Sequence, residues 1–405
     1  MWPFQDGSHY TRGHFRWRFA DEYNRKELEL KQKTIAKLEK FWSEFQKRGE
    51  ELSQKYQPTR GASVVEFVQK NLLSIENGIM WECGPDKPSG MTMEFTAEST
   101  RHLRPIVLTL LEMAPTIPGW RFAEFRFPLP IDMIESGFQG KLRKELYPFT
   151  VHCETNPANG INITFSSPLF KGDDVGEDLG DMFLLTEMVL GEKNLDVWMD
   201  FVSTKKSSEP IGQHPLAVAR EFFEDFENKK QTILKSLPDS PYHTLPPMEE
   251  TTLATLAEDP QSVPRWTVAY LVPSFLAGIC EASRFNSERL SKCGERFGYL
   301  QFSGDESYLD VDKRGALEDQ IDKKLRDAQV GIKAGAGMGI PSTIFVDLCL
   351  HDVDAAIPVL REVCRELKLP QNAKLRFYDA DWVHEWVGMY PDTAAPLDTT
   401  KLWRM

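Results

Sequence analysis

The sequence predicts an α+β fold of two domains, each a mixed sheet with helices mainly on one face, and three observations carry that reading. At 405 residues the chain exceeds what one hydrophobic core normally serves. Residues 92–127 and 343–377 each read as strand, helix, strand, with period-2 alternation giving way to apolar residues three and four apart. From residue 297 onward the order of elements is βαββαβ, the ferredoxin-like or split βαβ arrangement.

The elements follow in chain order. Residues 1–20 are aromatic and basic and form an N-terminal arm, of which 14–19 alternate like a short strand. The first domain, residues 21–203, opens with a helix whose stripe is Leu38, Phe41, Trp42 and Phe45. A helix over 64–73 and strands over 79–82 and 91–96 lead to the first strand-helix-strand unit. Ser99 or Thr100 caps its helix, Pro105 sits in the first turn where a missing N–H costs least, and its closing strand ends on Arg126 and Phe127. Residues 128–140 read as a long loop with two prolines and two glycines. Strands over 147–152 and 161–165 flank Asn156-Pro157-Ala158-Asn159-Gly160, a hairpin signal, and a helix over 179–190 and a strand over 197–202 complete the domain.

Residues 204–214 carry lysines, serines and a proline without apolar period and read as the linker. The second domain, 215–379, starts with a helix whose first residue is Pro215. After a proline-rich loop come strands over 251–255, 265–272 and 297–302, a helix over 314–328, and a hairpin of 330–333 with 343–350 around a glycine-rich turn. A helix over 353–368, capped by Asp352 or Asp354 with Pro358 near its first turn, and a strand over 374–378 close the domain. Residues 380–405 form an aromatic C-terminal tail.

Composition narrows the classes of function. Asp plus Glu number 61 against 48 Lys plus Arg, a net charge of −13 whose field opposes phosphate backbones and argues against nucleic acid as partner. The six cysteines, Cys83, Cys153, Cys280, Cys293, Cys349 and Cys364, lie inside element patterns without a C-x-x-C pair, as expected of buried free thiols in a reducing compartment. The longest uncharged stretch, residues 266–280, reads as a buried strand and the turn after it, too short to span a bilayer. The N-terminus lacks a basic start followed by an apolar core. These features predict a cytoplasmic protein with no membrane partner.

Candidate sites are few. Gly335, Gly337 and Gly339 would let backbone N–H groups approach a ligand or partner, but they join two strands where a phosphate loop needs a helix N-terminus and a Gly-Lys-Ser/Thr. A structural hairpin is therefore expected. Asp379, Asp381, His384 and Glu385 form the densest polar cluster and are the candidate metal ligands, although no second histidine follows as in a zinc protease helix. Trp382 and Trp386 read as docking aromatics of the tail. The acidic run Asp173, Asp174, Glu177, Asp178 and Asp181 precedes a helix and favours its positive end. His152 and Cys153 point to opposite faces of a strand, no nucleophile elbow occurs, and no catalytic residue or cofactor is assigned. Arg12, Arg16, Trp17 and Arg18 form a basic aromatic arm, expected to pack on the acidic domain surface.

The run Ala114-Pro115-Thr116-Ile117-Pro118-Gly119-Trp120, between an apolar helix and a strand, resembles a motif marking an uncharacterised bacterial family of two-domain proteins of unknown function. The resemblance covers roughly residues 41–205 and, more loosely, 305–377, and implies no particular activity. Small αβ domains of this look are also similar to immunity proteins of bacterial toxin systems and to regulators of ribonuclease activity, which act by binding proteins. The resulting expectation is a non-catalytic protein-binding or regulatory factor, inhibitor-like or immunity-like. The alternative is a metal-dependent or hydrolytic enzyme using the 379–385 cluster.

Overall fold

The computed structural model describes residues 16–55, 62–85, 90–98, 100–209, 211–245, 252–255, 265–269, 273–280, 282, 284–304, 308, 310–339 and 343–396. The fold is α+β, with mixed sheets and helices. The chain divides into two compact units, one built on Gly13–Arg126 with Ala380–Ala395 and the other on Phe127–Asp379. The expected division at 204–214 is replaced by one at 126/127 and another at 379/380.

In the smaller unit, α1 (Arg25–Lys55) and α2 (Ala62–Ile75) are followed by β1 (Met80–Pro85), β2 (Met91–Thr96), α3 (Arg104–Glu112) and β3 (Trp120–Ala123). The strands lie in the order β1-β2-β3, with β1 antiparallel and β3 parallel to β2. The unit β2-α3-β3 is thus a βαβ, as the alternation predicts, although its second strand ends at Ala123, before Arg126 and Phe127. Pro105 lies at the start of α3, but the side chain of Thr100 makes no capping bond, and Ser99 lies outside the described residues. The predicted stripe is the core: Phe41, Trp42 and Phe45 are buried, and the Trp42 ring sits 4.7 Å from Phe122. Each such buried aromatic contributes about 1.5–3 kcal/mol, and Trp42 adds a hydrogen bond from its indole N–H to Leu110 O at 2.7 Å. The Ala-Pro-x-x-Pro-Gly-Trp run is the α3–β3 turn. Gly119 has φ 78°, its carbonyl accepts from Met91 N–H at 2.8 Å, and the Trp120 indole donates to Gly49 O at 2.7 Å.

The larger unit begins with α4 (Ile134–Leu142), in the stretch expected to be a loop. The prolines at 128 and 130 precede the helix, and Ile134 and Phe138, four apart, are fully buried, so tertiary packing overrides the two glycines. Next come β4 (Thr150–Thr155), β5 (Ile161–Ser167), α5 (Gly176–Val197), β6 (Met199–Lys206) and α6 (Pro215–Ser236). The strands β4 and β5 form the predicted hairpin, with Asn156 Oδ1 accepting from Ala158 N–H and Gly160 N–H at 3.0 and 2.9 Å. Strand β6 pairs parallel to β5. Both α5 and α6 bury their apolar faces against this sheet, Phe222 of α6 lying 5.6 Å from Phe165. The expected linker therefore joins two elements of one core. Helix α5 breaks at Gly191, whose φ of 75° and ψ of 161° redirect the last turn.

The chain continues through β7 (Thr252–Thr255), β8 (Arg265–Ala269), α7 (Pro273–Cys280), β9 (Arg296–Ser303), α8 (Val311–Asp327), β10 (Gly331–Gly339), β11 (Thr343–Leu350), α9 (Val353–Glu366) and β12 (Lys374–Phe377). The strands lie in the order β12-β9-β11-β10-β8-β7, and the registers are antiparallel. From β9 to β12 the chain runs βαββαβ, with β11 inserted between β9 and β10, and β9 between β11 and β12. The second strand-helix-strand echo is thus a split unit, whereas β2 and β3 are adjacent. Asp352 caps α9 through Ala355 N–H at 2.9 Å, but Pro358 lies inside the helix rather than in its first turn. The turn expected after β8 is helical as α7, whose Phe275 ring stacks 5.1 Å from Phe297.

Gly335, Gly337 and Gly339 belong to β10, not to a turn. They pair with Asp347, Phe345 and Thr343 of β11 on one side and with Ala269, Thr267 and Arg265 of β8 on the other. Read alone, glycine breaks a strand. Here the neighbouring strand supplies the bulk on that face, with Phe345 and Tyr299 rings 5.7 Å apart, and small residues suit a strand flanked closely on both sides. The register slips between Lys333 and Gly335, so Ala334 forms a β-bulge. The final strand, β13 (Trp386–Gly388), belongs to the smaller unit.

Candidate functional site

The predicted polar cluster does not converge. Asp379, in the larger unit, is 1% exposed; it accepts from Ser287 N–H and Oγ at 2.8 and 2.6 Å and pairs with Arg296 at 3.1 Å. Asp381, His384 and Glu385 lie in the smaller unit. Glu385 is buried, and its Oε1 accepts from the backbone N–H groups of Trp17 and Arg18 at 3.0 and 3.2 Å. Burial pushes its carboxyl above the ordinary range against the opposing pull of those amides. His384 is exposed, its ring 5.2 Å from His102. Among the described residues no three His, Cys, Asp or Glu side chains are grouped as a metal would require.

The predicted docking aromatics are core residues instead. Trp382 and Trp386 are 5% and 1% exposed. Arg16 stacks 4.4 Å above the Trp386 ring and pairs with Glu27, while Trp382 meets Phe19 at 5.3 Å and lies under Arg18. Residues 16–19 and 382–386 therefore clasp each other within the smaller unit. Arg16, expected to pack on an acidic surface, is instead buried, and Arg12 and the tail from 397 onward lie outside the described residues. The acidic run before α5 is also structural: Asp178 accepts from Lys171 N–H, Asp181 binds Lys144, and Glu177, held by Lys144 and Lys171, is pulled down to about 2. None of the six cysteines forms a disulfide, but only Cys153, Cys349 and Cys364 are buried as expected; Cys83 and Cys293 are partly buried and Cys280 is exposed.

A cleft of about 520 Å³, in the size range of ligand sites, lies within the larger unit. The last turn of α5 after the Gly191 break brings Lys193, Asn194 and Trp198. Helix α6 contributes Lys230 and Leu234, and the loop entering β9 contributes Glu288, Ser291, Lys292, Gly294, Glu295 and Arg296. Trp198 is 3% exposed and forms the floor.

The walls are fixed by buried polar contacts. The Arg289 guanidinium, 1% exposed, donates to Val197 O at 2.6 Å and Met199 O at 3.0 Å and faces Asp200 at 3.5 Å, tying the loop to the α5–β6 junction. Desolvation draws Arg289 down to about 10 while Asp200 opposes the shift. A Cβ at Gly160 would lie 2.8 Å from the Arg289 guanidinium, so only glycine fits beneath it. Asp379, the predicted metal ligand, anchors the base of this loop through Ser287 and Arg296. Glu295 is 3% exposed and accepts from Tyr242 N–H at 2.7 Å and from the Ser291 hydroxyl. Gly294 turns the loop at φ 85°.

The rim cations are held unequally. Lys230 donates to Asn194 Oδ1 and Glu227 at 3.0 and 3.1 Å, and Arg296 holds Asp379. Lys292 pairs at 2.6 Å with Asp239, which is 97% exposed, and Lys193 reaches Glu288 only at 3.7 Å. Sequence reading missed every rim cation because they come from three distant segments. The available local signals were Gly191 after an apolar helix and Gly294 within a polar stretch.

Comparison with protein-family models, curated proteins and solved structures returns no match. Among the described residues no helix is long and apolar enough to cross a membrane.

Proposed function

We propose that this chain is a non-catalytic, regulatory binding protein that recognises another protein through the cleft on its larger unit. The supporting observation is the lining, which sets the cations Lys193, Lys230, Lys292 and Arg296 and the carboxylates Glu288 and Glu295 around a buried indole. A surface of both signs suits a polypeptide segment, whose side chains and amides can pair in turn, and penalises a partner whose charges are reversed. The loop is already tied down by Arg289 and Asp379, so little conformational entropy remains to be lost when a segment enters. The inhibitor-like or immunity-like role follows as the cytoplasmic use of such a surface.

The test is affinity capture from the native organism with the wild-type chain and with the Lys193→Glu/Lys292→Glu variant side by side. Lys193 is 58% exposed and Lys292 pairs only with the exposed Asp239, so the variant is expected to keep the fold. The expected outcome is at least one protein recovered in near-stoichiometric amount by the wild type and lost with the variant. Recovery of the same proteins by both chains, or of none by either, contradicts the proposal.

A further inference from the structure

Which of the rim cations can take a new partner is decided by what each already holds. Glu227 and Asp379, the partners of Lys230 and Arg296, have side chains 27% and 1% exposed, and both are woven into further bonds, Glu227 to Asn194 and Asp379 to Ser287. Removing either would strand a half-buried or buried charge. Glu288 and Asp239, the partners of Lys193 and Lys292, are 43% and 97% exposed. Surface pairs of this kind are weak, and both acids can return to water when displaced. Two exchangeable cations therefore line one cleft beside two fixed ones.

From this inequality we infer that the cleft receives a compact dianionic group, a phosphate, through Lys193 and Lys292, with Lys230 and Arg296 as fixed neighbours. A single carboxylate brings one negative charge to the two exchangeable cations. A phosphate monoester carries about two negative charges and three acceptor oxygens, and satisfies both. Asn194 and the Ser291 hydroxyl are the neutral polar groups of the same wall. The inference rests on the reading of this cleft as the recognition site and adds the chemistry recognised. That chemistry has two sources, a phosphorylated side chain of a partner protein or a free phosphate-bearing small molecule.

The full-length chain is titrated at constant ionic strength with inorganic phosphate, followed by phosphorus NMR, and with a phosphoserine tetrapeptide and its unphosphorylated form, followed by calorimetry. Saturable binding of phosphate and phosphopeptide is expected, weakened about tenfold by each of Lys193→Gln and Lys292→Gln. It should be unchanged in Lys205→Gln/Lys206→Gln, which removes two exposed lysines of β6 outside the cleft. Tighter binding of the phosphopeptide than of phosphate assigns the group to a partner protein, and the reverse assigns it to a small molecule. No saturable binding, or equal weakening by the β6 variant, overturns the inference. If a partner is still lost with Lys193→Glu/Lys292→Glu while phosphate fails to bind, only the phosphate assignment falls. If phosphate binds and no partner depends on these lysines, only the protein-binding reading falls.

Discussion

Single residues decide how the cleft and the clasp are held. Arg289 joins the β9 loop to two carbonyls and faces Asp200, all away from water. Arg289→Met should cost about 3–5 kcal/mol in urea unfolding, because a buried carboxylate loses its counter-charge, and Arg289→Lys should recover only part of that because it lacks the planar fork. Beside the clasp, next to His384, burial pulls His102 below the ordinary imidazole value. The unfolded chain takes up a proton near pH 6.5 that the folded chain resists, so this contribution is intact above that pH and lost as pH falls below about 6.5. Glu385 works in the opposite sense. Its raised carboxyl favours folding at low pH, and that contribution is lost as pH rises through its folded value. His102→Gln should therefore flatten the decline in urea midpoint between pH 7.5 and 5.5, and an unchanged decline would remove His102 as its cause.

At the scale of elements, the sequence was most informative where periodicity and capping agree. The α1 stripe, the Asn156–Gly160 hairpin, the Asp352 cap and the βαββαβ order were all legible, because each is set by local spacing or by one side chain. Three elements were misread for a common reason. Helix α4, the glycine strand β10 and Pro358 inside α9 break local propensity, and tertiary neighbours compensate. The β9–β12 pairing gives a direct check. A Cβ at Gly298 would lie 2.4 Å from Arg376 O, a backbone atom that cannot rotate aside. Gly298→Ala should destabilise the larger unit by about 1–3 kcal/mol, measured as a lower denaturant midpoint with an unchanged slope; an unaltered midpoint would mean that β12 can shift at no cost.

At the scale of the whole molecule, length and the order of elements indicated the α+β class but not where the units divide. A polar stretch such as 204–214 looks like a boundary, yet the helix after it returns to the same core through Phe222 and Phe226. The strap 380–395 belongs to the smaller unit because Glu385 and Trp386 bind residues 16–18, a pairing across more than 360 positions that no local pattern encodes. The candidate site was hidden in the same way. Its acids and aromatics in the tail attracted chemical readings, while the cations that line the cleft are scattered through an acidic chain. The most direct test of the cleft as recognition surface is backbone amide exchange on the wild-type chain, alone and with the protein it captures. Slowed exchange confined to residues 193–198, 230–234 and 287–296 is the predicted result. Protection confined elsewhere, for example around the exposed Val65 and Leu73 of α2, would contradict it.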